Sequence, residues 1–200
     1  MVKLQSDFYL DEDVTKIARL LLGKNLMVRC GNQVSGGTIV ETEAYSGAVD
    51  KASHAYKNKL TERTRIMFET GGRAYVYLCY GIHHLFNVVT NKEGFPDAVL
   101  IRALQPLDPP VTSNHSYRNK TGEQVPLTNG PGKLSKALGI DLKHNGMDLR
   151  GENIWIEDTG HPVSKNNIVY SKRIGVDYAG DDAKLDWRFY LKDNQWISKK

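Results

Sequence analysis

Apolar residues recur at helical spacing near the start of the chain and at strand spacing through most of the rest. Val14, Ile17, Ala18, Leu21 and Leu22 form one stripe of a 3.6-residue period, which predicts a helix. Asp11 or Asp13 can cap it, and Gly23 supplies a left-handed stop. Leu26–Arg29 and Thr38–Tyr45 read as strands around the turn Gly31-Asn32-Gln33, with a second glycine pair at Gly36-Gly37. Lys51–Thr70 is polar and partly helical. Tyr75–Tyr80 and Leu85–Thr90 read as strands joined through Gly81, and Ala98–Leu104 is a nearly all-apolar strand.

Asp108–Asn129 is rich in Pro, Asn, Ser and Thr and reads as a long exposed loop, the kind of length that marks a boundary or a functional excursion. A helix follows at Pro131–Leu138, with Pro131 suited to its first turn and Gly139 just past its end. Short strands are predicted at Ile154–Glu157, Ile168–Ile174 and Trp187–Leu191. There is no internal repeat. Mixed helices and mainly antiparallel strands predict one α+β domain over residues 1–200.

Composition narrows the class. With 40 % hydrophobic and 25 % charged residues, disordered and low-complexity classes are excluded. Two cysteines, Cys30 and Cys79, build no disulfide framework, so the chain reads as intracellular and reduced. A formal charge of +4 leans mildly toward a polyanionic partner. Asp11, Glu12 and Asp13 interrupt any signal-peptide core. The uncharged stretch Ala74–Asn91 carries Gly81, His83, His84, Asn87 and Asn91 and is too polar to cross a bilayer. Asn114 and Asn119 sit in glycosylation patterns that mean little without secretion.

Candidate chemistry begins with Ile39-Val40-Glu41-Thr42-Glu43-Ala44-Tyr45. A period of two puts Ile39, Glu41, Glu43 and Tyr45 on one face and Val40, Thr42 and Ala44 on the other. Two carboxylates on one face suit acid–base work or a metal; they equally suit solvation or ion pairing, and parity does not choose between the two glutamates. Tyr75 and Tyr77 share a strand face, while Tyr80 sits at the turn beside Gly81. Strand tyrosines are usually core filler, but a ring exposed at a turn can stack on a base or wedge between base pairs. His83 and His84 are adjacent in a strand and face opposite ways, so they do not share a metal. Arg102 interrupts an apolar run and requires a carboxylate, with Glu41 or Glu43 available. Leu127–Ala137 resembles the glycine turn of helix-hairpin-helix modules but lacks the preceding helix; it reads as a simple helix start where N–H groups and Lys133 can hold a phosphate. Lys57, Lys59, Arg63 and Arg65 form either a solvated face or the rim of a nucleic-acid groove.

The ordered set Val40-Glu41-Thr42-Glu43-Ala44-Tyr45, His54, Arg63–Phe68, Tyr75–Gly81, Asn87, Leu100–Pro106 and Leu127–Leu134 resembles the alkyladenine (3-methyladenine) DNA glycosylase family. The match continues through Arg173–Gly180 and Trp187–Tyr190 and so covers nearly the whole chain. The resemblance implies a compact bacterial-type member with a curved antiparallel sheet, flanking helices and a protruding hairpin. It implies Glu43 as general base, Tyr45, Tyr77 and His54 around the extruded base, and Tyr80 as the wedge in the duplex. Asn87 would guard the pocket floor, Arg102 would help hold the attacking water, and a backbone carbonyl near Val176 would complete that water site. Ile82, His83 and His84 depart from the mammalian pattern where minor-groove contacts are expected.

The implied reaction removes an alkylated purine from double-stranded DNA and leaves an abasic site, with no metal or organic cofactor, no membrane and no second subunit, in a bacterial cytoplasm. Candidate bases are 3-methyladenine, 7-methylguanine, hypoxanthine and ethenoadenine. Two other classes compete: a damaged-DNA binding module without chemistry, against which Glu43 and Arg102 speak, and a metal-dependent hydrolase, for which no metal-binding spacing appears.

Overall fold

The computed structural model describes residues 1–107 and 128–199. Its strands are β1 (Val2–Lys3), β2 (Asn25–Cys30), β3 (Gln33–Tyr45), β4 (Ala74–Cys79), β5 (His83–Thr90), β6 (Asp97–Pro106), β7 (Ile154–Asp158), β8 (Ile168–Ser171) and β9 (Arg188–Leu191), with helices α1 (Val14–Leu21) and α2 (Pro131–Leu138). All of the strands belong to one curled antiparallel sheet, ordered β1-β7-β2-β3-β6-β5-β4, with β9 joining β3 to β8. The fold is α+β, as the mixed periodicity predicts.

The long strand β3 organises the sheet. One edge pairs with β6 along most of its length, while the other is shared: Gln33–Thr38 pair with β2 and Glu41–Glu43 with β9. Gly36 and Gly37, left outside the predicted strands, run inside β3. A Cβ at Gly36 would stand 2.5 Å from Met27 Sδ, and one at Gly37 would stand 2.8 Å from Gln105 O. Close approach of neighbouring strands, not a bend, requires glycine there.

The main core lies between one face of the sheet and the helices, and includes Ile17, Leu21, Leu26, Phe86, Ile101, Leu104 and Phe189. Helix α1 begins at Asp13, whose side chain accepts from Thr15 N at 2.9 Å and Lys16 N at 3.1 Å; Asp11 pairs with the Lys16 ammonium instead. Thr42 Oγ1 donates to Ala18 O at 2.9 Å and ties β3 to α1. Helix α2 spans the predicted residues and ends at Gly139, in the left-handed conformation.

Two strands stop short of their predicted ends. β4 ends at Cys79, so Tyr80 belongs to the turn; β8 ends at Ser171, which leaves Arg173 and Ile174 in irregular chain. Asp177–Lys184, which carries no periodic signal, forms 3₁₀ turns broken at Gly180. Most of the predicted 108–129 loop, including Asn114, Asn119 and Leu127, lies outside the described residues. At its end, Thr128 is buried rather than exposed, because Leu104 N donates to its carbonyl at 3.0 Å and its hydroxyl donates to Leu104 O at 2.6 Å.

Candidate active site

Residues directly opposed in antiparallel strands project to the same face. The register therefore builds one row across six strands: Tyr75, Asn87, Leu100, Glu43, Arg188 and Ser171. The next row, with Ala74, Val88, Val99 and Ala44, faces the main core. One face of the sheet is thus a core and the other a site.

Two bulges correct the simple parity of β3. The β3–β6 register skips Val40 on one strand and Arg102 on the other. Ile39 consequently packs in the main core with Ala44, on the same side as Thr42, while Val40 packs with Ala103 and Ile197 on the opposite face. Ile39 does not share the face of the glutamates. Bulges re-aim side chains, and this pair brings Arg102 onto both Glu41 and Glu43.

Both carboxylates are fully buried. Glu41 accepts from Arg102 Nε at 3.1 Å, Arg188 Nε at 2.7 Å, Ser198 Oγ at 2.8 Å and Ser198 N at 2.6 Å. Glu43 accepts from Arg102 Nη1 at 3.2 Å and Tyr45 Oη at 2.7 Å on Oε2, and from Ile174 N at 2.8 Å on Oε1. Burial opposes the charge of Arg102, but Glu43 and then Glu41 outweigh it and hold its pKa above the ordinary value. Burial, and next the charge of Glu43, pushes the Tyr45 hydroxyl well up, so it stays a donor to that carboxylate.

A cavity of about 390 Å³ lies above this group. It brings together Tyr45, His54, Tyr77, Tyr80, Asn87, Arg102 and Val176. Glu43 lies beneath the wall: it does not itself line the cavity, but its three donors, Tyr45, Arg102 and Ile174, all do. Asn87 Nδ2 donates to Tyr75 O at 3.0 Å, which fixes the amide against β4. Val176 is buried, and its carbonyl accepts from Ala179 N at 2.8 Å.

The aromatic wall is cross-braced. Tyr75 and Tyr77 rings lie 5.5 Å apart, and His54 meets Tyr77 edge-on at 4.6 Å. His54 Nδ1 is 2.9 Å from Tyr75 Oη, and Nε2 is 3.0 Å from Arg63 Nη2. A guanidinium only donates, so Nε2 carries the lone pair and the Nδ1 proton goes to Tyr75. Burial, with the Arg63 charge second, pushes His54 down to about 4, and the ring is neutral at neutral pH.

Tyr80 stands at the hairpin tip and is 91 % exposed. Tyr80 and Gly81 both have positive φ, +50° and +71°, and Ile82 N donates to Cys79 O at 3.1 Å. That is the primed turn a twisted hairpin favours, where glycine is comfortable and tyrosine is not. The turn presents the ring outward. His83, next along, lies against Gly132 of α2, where a Cβ would stand 2.9 Å from its Cγ.

Sequence reasoning missed the support behind Tyr45. Arg173 forms a buried ion pair with Asp50, donates to Ala44 O at 2.9 Å, and stacks 4.8 Å from the Tyr45 ring centre and 5.3 Å from that of Trp187. Its neighbour Ile174 gives Glu43 its backbone donor. Nothing in the periodicity marks this irregular segment; the Asp50 and Arg173 partners are 123 residues apart. Tyr178, 71 % exposed, also borders the cavity. Among the described residues, no group of three or more His, Cys, Asp or Glu could hold a metal ion, and no helix is long and apolar enough to cross a membrane.

Fold and cavity define an α+β protein with an aromatic-walled recess above a buried carboxylate–guanidinium group. Residues 7–195 match the family model described as Methylpurine-DNA glycosylase. A protein of Alkaliphilus oremlandii named "Putative 3-methyladenine DNA glycosylase" is 46 % identical over the full length of both chains. A Clostridium novyi protein of the same name is 43 % identical, again over both full lengths, and one of Bdellovibrio bacteriovorus is 44 % identical over 98 % of this chain and 99 % of its own. The chain belongs to the methylpurine-DNA glycosylase family.

Proposed function

We propose that the protein is a monofunctional DNA glycosylase of base excision repair, which draws alkylated purines, 3-methyladenine foremost, out of double-stranded DNA and hydrolyses their N-glycosidic bond. The observation that carries this reading is Glu43: a fully buried carboxylate with three donors, all of which line an aromatic cavity. An ionised carboxylate offers about four acceptor positions. One on Oε1 remains for a water.

A damaged base must first leave the stack, at roughly a few kcal/mol. Tyr80 fills the vacated space. Rings of Tyr45 and Tyr77 hold the flat purine; for one made cationic by methylation at N3 or N7, each contact contributes up to about 2 kcal/mol. Neutral His54 adds no repulsion. Glu43 then takes a proton from water as its oxygen attacks C1′, and its charge stabilises the positive charge developing on the sugar. The C1′–N bond breaks and its electron pair leaves with the base. Arg102 and the Val176 carbonyl flank the water. No lysine is among the described residues lining the cavity, so an amine nucleophile has no place in this scheme.

The protein works as a monomer on duplex DNA in a bacterial cytoplasm, without a cofactor. Hypoxanthine, ethenoadenine and 7-methylguanine are further candidate bases for the same cavity. The test is to incubate the protein with methylated duplex and identify released bases chromatographically. Free 3-methyladenine with an intact abasic strand is expected, and borohydride traps no protein–DNA adduct. Absence of any released base would overturn the reading; a strong trapped band would overturn its monofunctional part.

A further inference from the structure

The cavity proposed to bind a cationic purine already holds a cation of its own. Arg63 Cζ lies 4.9 Å from the centre of the Tyr77 ring, and Nη2 lies 3.0 Å from His54 Nε2. Arg63 borders the same cavity as both. Its side chain is exposed, and among the described residues no carboxylate lies within 4.0 Å of it, whereas nearby Arg65 pairs with Glu62. An aromatic face, a neutral imidazole and the Tyr75 hydroxyl hold it.

Those are weak holds. An exposed cation–π contact is weaker than the two charge-assisted hydrogen bonds that a phosphate offers the same guanidinium. Exposed Lys57, Lys59 and Arg65 lie within six residues of it in the sequence, so a polyanion is drawn to this segment. Two cations compete for one electron-rich ring, and a duplex would remove one of them.

We infer that Arg63 is a displaceable occupant of the Tyr77 face, which a DNA phosphate pulls out of the cavity so that the pocket opens only where a duplex is bound. This rests on the glycosylase reading above and adds to it a coupling between backbone grip and base admission. The coupling is reciprocal: a base seated on Tyr77 frees Arg63 for phosphate, and phosphate binding frees Tyr77 for the base. It also gives Arg63 a part in selectivity, because an Arg63 that failed to leave would repel cationic purines more than neutral ones.

The experiment follows the Arg63 Cδ methylene signal in carbon-13 arginine-labelled protein, assigned by its loss in Arg63→Lys. In the free protein the signal is displaced upfield by the Tyr77 ring. Saturating undamaged duplex at low salt is expected to move it to an unstacked position, with no lesion present. In parallel, Arg63→Gln is expected to weaken duplex binding and reduce its logarithmic salt slope by about one. The same variant lowers the single-turnover excision of neutral hypoxanthine relative to cationic 7-methylguanine. A signal that stays upfield on saturating duplex, or a variant with unchanged salt slope and unchanged base preference, would overturn the inference and leave Arg63 a brace for His54. Base release by the unsubstituted protein is the control: its absence sinks the glycosylase reading, whereas release with an unmoved signal sinks only this coupling.

Discussion

Glu41 and Glu43 stand two residues apart on one strand, both fully buried and both bonded to Arg102. Their surroundings differ in where their donors face. Glu41 has four donors, including two guanidinium groups and both polar groups of Ser198. A chain segment near the C-terminus folds over it, and Arg188 also bonds the carbonyl of Lys199. Glu43 has three donors, and every one lines the cavity. Of the donors to the first carboxylate only Arg102 lines the cavity, whereas all of the donors to the second do. In the proposed reaction acid–base work goes to the carboxylate whose donors face the cavity; the other neutralises the cations that hold it. Residue type and spacing make the two look alike; the family resemblance points to Glu43, and its cavity-facing donors support that choice.

This contrast breaks most visibly in stability. Glu41→Gln strips the counter-charge from Arg102 and Arg188, both nearly buried. Removing one partner of a buried pair costs about 3–5 kcal/mol, so denaturant unfolding should show a loss of that order. An unfolding midpoint like the parent's would mean that Glu41 is solvated and the distinction false. The rim gives the next largest effect. Tyr80→Ser is expected to lose roughly one to three decades in excision from paired duplex, with less loss opposite a gap, where extrusion is easier. Since the ring is 91 % exposed, folding stability should not change. Parent-like flipping by a fluorescent lesion analogue would remove Tyr80 as the wedge.

The covering segment comes third. A chain ending at Ile197 keeps that buried side chain but removes both Ser198 donors from Glu41, and should cost about 1–3 kcal/mol, read by thermal or denaturant unfolding. The smallest effect is a pH slope. His54 is held down to about 4 in the fold against an ordinary value of 6.5. Between those values the unfolded chain binds a proton that the folded one does not, so stability rises with pH across that window and is lost on acidification through it. His54→Gln should flatten this part of the profile; an unchanged slope would place the titration elsewhere.

Much of the fold was legible because its signals are local. Asp13, the apolar stripe of α1, Pro131 and Gly139 fix two helices within a few residues each. Strand cores were legible from apolar runs. The faces were not, because the bulges at Val40 and Arg102 depend on how two strands 60 residues apart come into register. Glycines 36 and 37 stayed outside the predicted strand for the same reason: what they accommodate is Met27 and Gln105, set by pairing and not by neighbours in sequence. Candidate site residues came from an ordered set of motifs, and the structure gathers Tyr45, His54, Tyr77, Tyr80, Asn87, Arg102 and Val176 at one cavity. Arg173, Asp50 and the Ile174 N–H escaped, since a backbone donor and an ion pair in irregular chain have no pattern to read. The stacking of Arg63 on Tyr77 escaped too; in the sequence it is one basic residue among four.

The central claim is tested most directly by single-turnover excision of 3-methyladenine from one duplex by Glu43→Gln and Glu41→Gln side by side, at saturating protein and a temperature where both are folded. Loss of a general base is worth about 10²–10⁴-fold. The account predicts a loss of that size for Glu43→Gln with duplex affinity kept, and excision within about tenfold of the parent for folded Glu41→Gln. Near-parent excision by Glu43→Gln, or the larger chemical loss in Glu41→Gln, would contradict it.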